Sequence, residues 1–284
     1  MEKNIYKLLQ KQVKSNPRHV YLDSIDNVKF TLEELHNFVL KFNNYLEKKK
    51  IKKQEKIFVV FENSSLLTLL FYGITCSQRI FVPINPSAGP EEIKYIYKKI
   101  QPNLIILDNQ FKSKFSKKLK NKIINIKNHN SFIKKIFNEN QSLIKSVRNT
   151  NIAEILFTSG STGKPKAIVL TNESMMSNLY GIYKKIKFEH KQNYLAITPV
   201  YHNNGQFIPT LIPLLTFGKT TPADSLTSIA NFWSLIKMKN IHYSSVMVTH
   251  INYLYFFRKR IRHSLKALFC GGAKLDINIQ KKFF

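Results

Sequence analysis

Apolar residues recur at helical spacing at the start of the chain. Ile5, Leu8, Leu9 and Val13 fall on one face, which predicts a first helix. Tyr21-Leu22-Asp23 and Val28-Lys29-Phe30 are short extended runs that predict a small hairpin across Asp26-Asn27. Thr31 stands three residues before Glu34, the spacing of a capping box. Leu32, Leu35, Phe38, Val39, Phe42 and Leu46 carry the apolar face of the helix that follows.

Beyond residue 50 the pattern alternates between strand-like and helix-like runs. Lys56 to Phe61 reads as a strand closed by Glu62-Asn63-Ser64, then a helix from about Ser65 to Cys76, then a strand and turn from Ile80 to Pro86. Strand–helix–strand order predicts a parallel crossover. Pro90 suits the first turn of a helix reaching Ile100. A strand from Leu104 to Leu107 follows, then a basic, asparagine-rich connection, a short strand at Ile123–Ile126 and a short helix at Ser131–Phe137. Residues 138–150 show no regular pattern and read as a surface linker. Later, Thr171 caps a helix to about Lys187, Tyr194–Pro199 and Tyr243–Val248 read as strands, and Ile229–Lys239 reads as an amphipathic helix bearing Trp233. Phe207–Phe217 reads as a proline-interrupted buried helix and Ile251–Phe257 as an aromatic one. Ser264–Ala273 is a strand ending in a diglycine turn, and Asp276 starts a last helix. The expected fold class is α/β, with a first subdomain over 1–150 and a second over 151–284.

One stretch interrupts the alternation with chemistry. Ile155–Phe157 leads in and Ala167–Leu170 leads out, both suited to strands. Between them lie Thr158, Ser159, Gly160, Ser161, Thr162, Gly163, Lys164, Pro165 and Lys166. Glycines let backbone N–H groups turn inward, hydroxyls add donors, and lysines add compact positive charge. That chemistry fits a polyphosphate. The spacing is not that of a Walker loop, which needs Gly-x-x-x-x-Gly-Lys-Ser/Thr ahead of a helix. On composition alone a plain glycine–serine hairpin turn fits equally well.

Composition narrows the class. With 284 residues, 43% of them hydrophobic, the chain has enough material for a large core and two subdomains. Cys76 and Cys270 lack metal-like spacing and read as buried free thiols of a reducing compartment. Met1–Val20 has no continuous apolar core, so it is not a secretory signal, and the apolar stretches Ser64–Cys76 and Gln206–Gly218 are too short to span a bilayer. A cytoplasmic protein is expected. The net charge of +28 is spread along the chain, and its densest runs, Lys48–Lys53 and Lys112–Lys127, carry no nucleic-acid-binding motif. No specific nucleic-acid partner is expected.

The string Thr158 to Lys166, with Ala153-Glu154-Ile155 before it, resembles the signature of the adenylate-forming superfamily, which includes acyl-CoA synthetases and peptide-synthetase adenylation domains. Phe30–Leu35 resembles the family's entry to its second helix, Val82-Pro83-Ile84-Asn85-Pro86 its strand-ending turn, Pro199–Gly205 its Pro-x-x-His-x-x-Gly motif, and Gly271-Gly272-Ala273 its Gly-Gly-Ala motif. Departures are Gln78 and Arg79 where relatives carry small residues, Ala167 where many have glycine, Asn172 where they have histidine, and Lys274 where proline or glutamate is frequent.

The resemblance implies the large N-terminal domain of such an enzyme, with stacked sheets flanked by helices, and covers only about the first half of the family's pattern. The family's metal-binding glutamate, ribose-binding aspartate and adenylation lysine find no match, so no catalytic or metal-binding residue is assigned. It implies that Thr158, Ser159, Gly160, Ser161, Thr162, Gly163, Lys164 and Lys166 hold ATP phosphates. It also implies that His202, Gly205, Gly271, Gly272 and Ala273 border an acyl-adenylate pocket. A lone histidine is more often structural, and the motif is what singles out His202, for gating and positioning rather than base catalysis. ATP, Mg²⁺ and coenzyme A are the implied cofactors and substrates, and a small carboxylic acid and a separately encoded C-terminal half the implied partners. Two readings stand beside an acyl-CoA synthetase: an enzyme that loads a carrier protein, and a non-catalytic remnant. This chain alone is expected to be inactive.

Overall fold

The computed structural model describes residues 1–25, 28–145, 147–158, 164–256 and 262–283. In chain order the elements begin with α1 (Ile5–Ser15), β1 (Val20–Asp23), β2 (Lys29–Thr31), α2 (Leu32–Lys48), β3 (Lys56–Val60), α3 (Ser65–Cys76) and β4 (Ile80–Pro83). Next come α4 (Pro90–Ile100), β5 (Leu104–Asp108), two 3₁₀ turns (Asn109–Lys114 and Lys117–Lys122), β6 (Ile123–Ile126) and α5 (His129–Phe137). They are followed by β7 (Ile152–Thr158), β8 (Lys166–Thr171), α6 (Asn172–Ile186), β9 (Asn193–Ala196) and α7 (Asn203–Gln206). A π-helical turn (Phe207–Leu211) leads to α8 (Ile212–Thr216), β10 (Lys219–Pro222), α9 (Ser225–Ala230) and α10 (Phe232–Met238). The last elements are β11 (Tyr243–Met247), α11 (Val248–Phe256), β12 (Ala267–Gly271) and α12 (Ile277–Phe283).

The chain divides into two units, each built on one six-stranded sheet flanked by helices. The first comprises Met1–Arg18, Leu32–Glu62 and Leu66–Ile182. Its sheet runs β6-β5-β3-β4-β7-β8, parallel throughout except for the antiparallel β7–β8 pair. Parallel strands bury both faces and so read as continuous apolar runs; Phe58, Val60, Val82, Ile105 and Leu107 meet in one core.

The turn from α3 into β4 buries a charged side chain. Arg79 is 2% exposed. Its guanidinium donates to Ile51 O from Nη2 at 2.8 Å, to Ser77 O from Nη1 at 2.8 Å, and to Asn43 Oδ1. A buried charge is tolerated when its donors are matched in this way. The described residues between 138 and 150 are irregular, as the sequence indicates, but they are strapped down. Lys41 Nζ donates to Phe137 O and Glu139 O at 2.7 and 2.6 Å, and Ser142 N donates to Leu40 O at 3.2 Å.

The second unit comprises His19–Thr31, Asn63–Ser65 and Tyr183–Phe284. Its sheet runs β12-β11-β9-β10-β1-β2, again parallel apart from the β1–β2 hairpin, whose Asp26-Asn27 turn lies outside the described residues. The units therefore interleave along the chain instead of meeting at residue 150. The physical reason is pairing: β1 lies beside β10, and β7 beside β4. The single helix expected over 229–239 is two, α9 and α10, broken at Asn231. The expected burial of both thiols holds for Cys76 alone; Cys270 is exposed because β12 is the edge strand of its sheet.

Candidate active site

In the first unit, β7 runs parallel to β4, so its last residue, Thr158, stands at the carboxyl edge of the sheet. Ligands of open α/β sheets bind at that edge. Thr158 pairs with Lys166 across the antiparallel hairpin, and Lys164 lies in a bend, not a helix. Ser159, Gly160, Ser161, Thr162 and Gly163 lie outside the described residues. Thr158, Lys164 and Lys166 are exposed, which leaves two ammonium groups in water at the mouth of the hairpin.

A polar network fixes the root of that hairpin. Ile152 N donates to Gln54 Oε1 at 2.9 Å, and Gln54 Nε2 donates to Ile152 O at 3.2 Å. Gln78, held at φ 65°, accepts from Asn151 Nδ2 at 3.2 Å and donates to Lys145 O at 3.1 Å. Asn172 is buried, and its backbone N–H donates to Asn151 O at 3.0 Å. Thr171 caps α6 as anticipated, its Oγ1 accepting from Ser174 N at 3.1 Å.

In the second unit, β9 connects onward to β10 on one side, while β11 connects to β12 on the other. This reversal is a topological switch point at the carboxyl ends of β9 and β11, the place where open α/β sheets bind their ligands. The segment leaving β9 is Ile197 to His202. Thr198 Oγ1 donates to Ser245 O at 2.8 Å, tying the segment to β11. Gln206 Nε2 donates to Val200 O at 2.7 Å, and Gly205 N donates to His202 O at 2.9 Å. A Cβ at Gly205 would stand 2.3 Å from both Thr198 O and Pro199 O, so only glycine fits there.

Pro209 lacks the N–H that would bond Gly205 O in an α-helix. Thr210 Oγ1 takes its place at 2.9 Å, and the helix widens into the π-turn. His202 itself is exposed, its ring 4.9 Å from that of Tyr201. Partial desolvation by its surroundings still lowers its pKa.

The diglycine turn belongs to the same edge. Gly271 pairs with Met247, and a Cβ built on it would lie 3.5 Å from Asn204 Nδ2, two residues past His202. The His202 motif and the Gly271 turn therefore adjoin. Gly272 has φ +92°, which favours glycine for its backbone conformation; a Cβ there would meet nothing within 4 Å. Gly272 and Ala273 are exposed.

Two residues of this edge carry no motif and were not singled out in the sequence. His250 is 8% exposed, accepts from Met247 N at its Nδ1 at 3.3 Å, and has its pKa lowered by burial. Asn63 read as part of a strand-closing turn; its side chain instead reaches the ends of β9 and β10. Among the described residues no group of three or more His, Cys, Asp or Glu side chains converges to hold a metal ion. Mg²⁺ at a nucleotide site takes only one or two protein carboxylates together with phosphate oxygens, so the lack of such a group does not bear on it.

A family model for the AMP-binding enzyme matches residues 9–284. Gramicidin S synthase 2 of Brevibacillus brevis is 25% identical over 289 aligned residues, covering 99% of this chain and 6% of that protein. A 2-succinylbenzoate–CoA ligase of Staphylococcus aureus (strain MSSA476) is 27% identical over 129 residues, covering 45% of this chain and 26% of the ligase. The chain thus spans a small part of the curated relatives it matches. Among solved structures, VinN superposes with a TM-score of 0.85 at 18% identity, over 99% of this chain and 72% of that one. A fatty acyl CoA synthetase of Mycobacterium tuberculosis gives 0.85 at 18%, over 99% and 57%. At these identities the structural likeness is one of fold.

Proposed function

The chain belongs to the AMP-binding enzyme family of adenylate-forming ligases, and from that membership we propose that it activates a small carboxylic acid with ATP. A carboxylate oxygen attacks the α-phosphorus, the α–β phosphoanhydride bond breaks, and pyrophosphate leaves with the displaced electron pair. The observation that carries this reading is the Thr158–Lys166 string mounted between antiparallel strands at the carboxyl edge of a parallel sheet. In this proposal Thr158, Ser159, Gly160, Ser161, Thr162 and Gly163 donate to the phosphate oxygens, and Lys164 and Lys166 supply positive charge. The catalytic effect is positional and electrostatic.

The switch point of the second unit takes the acid. His202, Gly205, Gly271, Gly272 and Ala273 border it, and His202 positions the acyl group without acting as base, since a carboxylic acid is already ionised at neutral pH. Coenzyme A is the proposed acceptor of the acyl group, supported by the Pro199–Gly205 string. The competing acceptor is a carrier-protein thiol, which the gramicidin S synthase relationship supports. A cytoplasmic location and a separately encoded C-terminal partner complete the proposal.

The test is ATP–pyrophosphate exchange with a panel of carboxylic and amino acids, run with and without such a partner. Exchange that requires one class of acid supports the reading. A protein that binds ATP yet exchanges pyrophosphate with no acid under either condition is a binding subunit, and the proposal fails.

A further inference from the structure

The segment that carries His202 is anchored at its root by a side chain distant in sequence. Asn63 is 3% exposed. Its Nδ2 donates to Ala196 O at 2.5 Å and to Ala223 O at 3.0 Å. Ala196 ends β9, and Ala223 directly follows β10. Ala223 N also donates to Ala196 O at 3.1 Å, so both strand ends and the amide form one cluster. Because both partners are carbonyl oxygens, the amide has a single possible orientation. That orientation leaves Oδ1 buried with no partner among the described residues, as is Ser65 Oγ two residues on. A side chain chosen for packing alone would not bury an unmatched acceptor. The two carbonyls account for the choice.

From this geometry we infer that Asn63 is a positioning residue for the acid site, which rests on the adenylation reading above. It acts through the segment from Ile197 to Gly205. Within that segment Thr198, near its start, is tied to Ser245, and Gly205, at its end, sits against Thr198 O and Pro199 O. Asn63 holds the strand end from which the segment leaves. The clamp lies in the second unit, whereas the Thr158–Lys166 hairpin belongs to the first. Loss of the clamp therefore leaves the hairpin proposed to hold the ATP phosphates untouched, and its larger effect falls on the acid.

Asn63→Ala and Asn63→Asp test this, with steady-state exchange kinetics and hydrogen–deuterium exchange over residues 197–205. Two lost hydrogen bonds predict for Asn63→Ala a KM for the acid raised about tenfold and a KM for ATP within about twofold of the parent. Asn63→Asp keeps the shape but, when ionised, turns an acceptor oxygen on the two carbonyl acceptors. Its carboxyl, buried among carbonyl dipoles, titrates above the usual range. As pH falls from 8 to 6 it gains a proton to donate, so its KM for the acid recovers toward the parent while that of Asn63→Ala does not. Deuterium uptake over 197–205 should rise in Asn63→Ala and follow the same pH trend in Asn63→Asp, whether or not turnover is seen.

A parent protein without exchange activity even when its C-terminal partner is supplied, but with that uptake pattern, removes the functional reading and keeps the clamp. Parent-like KM values and uptake in both variants overturn the clamp. Equal rises in both KM values, or failure of both variants to fold, show a scaffold role and overturn it as well.

Discussion

At the scale of single residues, the candidate site depends on atoms with no room to spare. Gly205→Ala puts a methyl group 2.3 Å from two backbone carbonyl oxygens, so the backbone itself must move. Overpacking of this kind costs up to about 3 kcal/mol, and the denaturation midpoint should fall accordingly. An unchanged midpoint would show that the 198–205 turn is not held as described. Two imidazoles give a pH signature. Burial lowers the pKa of His36 and His250, and His36 stacks on Tyr6 with ring centroids 5.8 Å apart. The unfolded chain then binds more protons below about pH 6.5. Their contribution is complete above that value and is lost as pH falls through the lower folded-state values. His36→Phe keeps the stack without the proton, so its midpoint should drop less than the parent's between pH 7.5 and 5. Parallel drops would assign the loss to other groups.

At the scale of elements, the α3–β4 turn is where a buried charge is absorbed. Arg79→Met keeps most of the volume but strips the donors from Ile51 O, Ser77 O and Asn43 Oδ1. Unsatisfied buried acceptors cost roughly 1–3 kcal/mol each. We expect a loss of about 3 kcal/mol in urea unfolding; a loss under about 1 kcal/mol would mean that water or neighbouring groups replace the guanidinium. The turn also shows what the sequence does and does not disclose. The apolar stripes of α1 and α2, the apolar runs of β3 to β5 and the β7–β8 hairpin follow from periodicity, because each is decided by burial over adjacent residues. The β1–β10 pairing, the π-turn at Pro209, the break at Asn231 and the reach of Asn63 to Ala196 and Ala223 depend on partners far along the chain. No local pattern encodes them. His202 and the Gly271 turn were legible only because they fall in motif strings, whereas His250 falls in none.

At the scale of the whole molecule, each unit repeats one plan: a parallel sheet with one antiparallel terminal pair, and the candidate segments at its carboxyl edge. The charge of +28 favours approach of a polyanion such as ATP without specifying it. No helix among the described residues is long and apolar enough to cross a membrane. The central claim is that an acid's carboxylate attacks the α-phosphorus of ATP. It is tested most directly by supplying the accepted acid with both carboxylate oxygens labelled with ¹⁸O and trapping the acyl group on a thiol. When the thiol displaces AMP from the acyl carbon, the bridging oxygen departs with AMP. The account predicts one ¹⁸O in each AMP and none in pyrophosphate; label in inorganic phosphate with ADP as co-product, or AMP free of label, would contradict it.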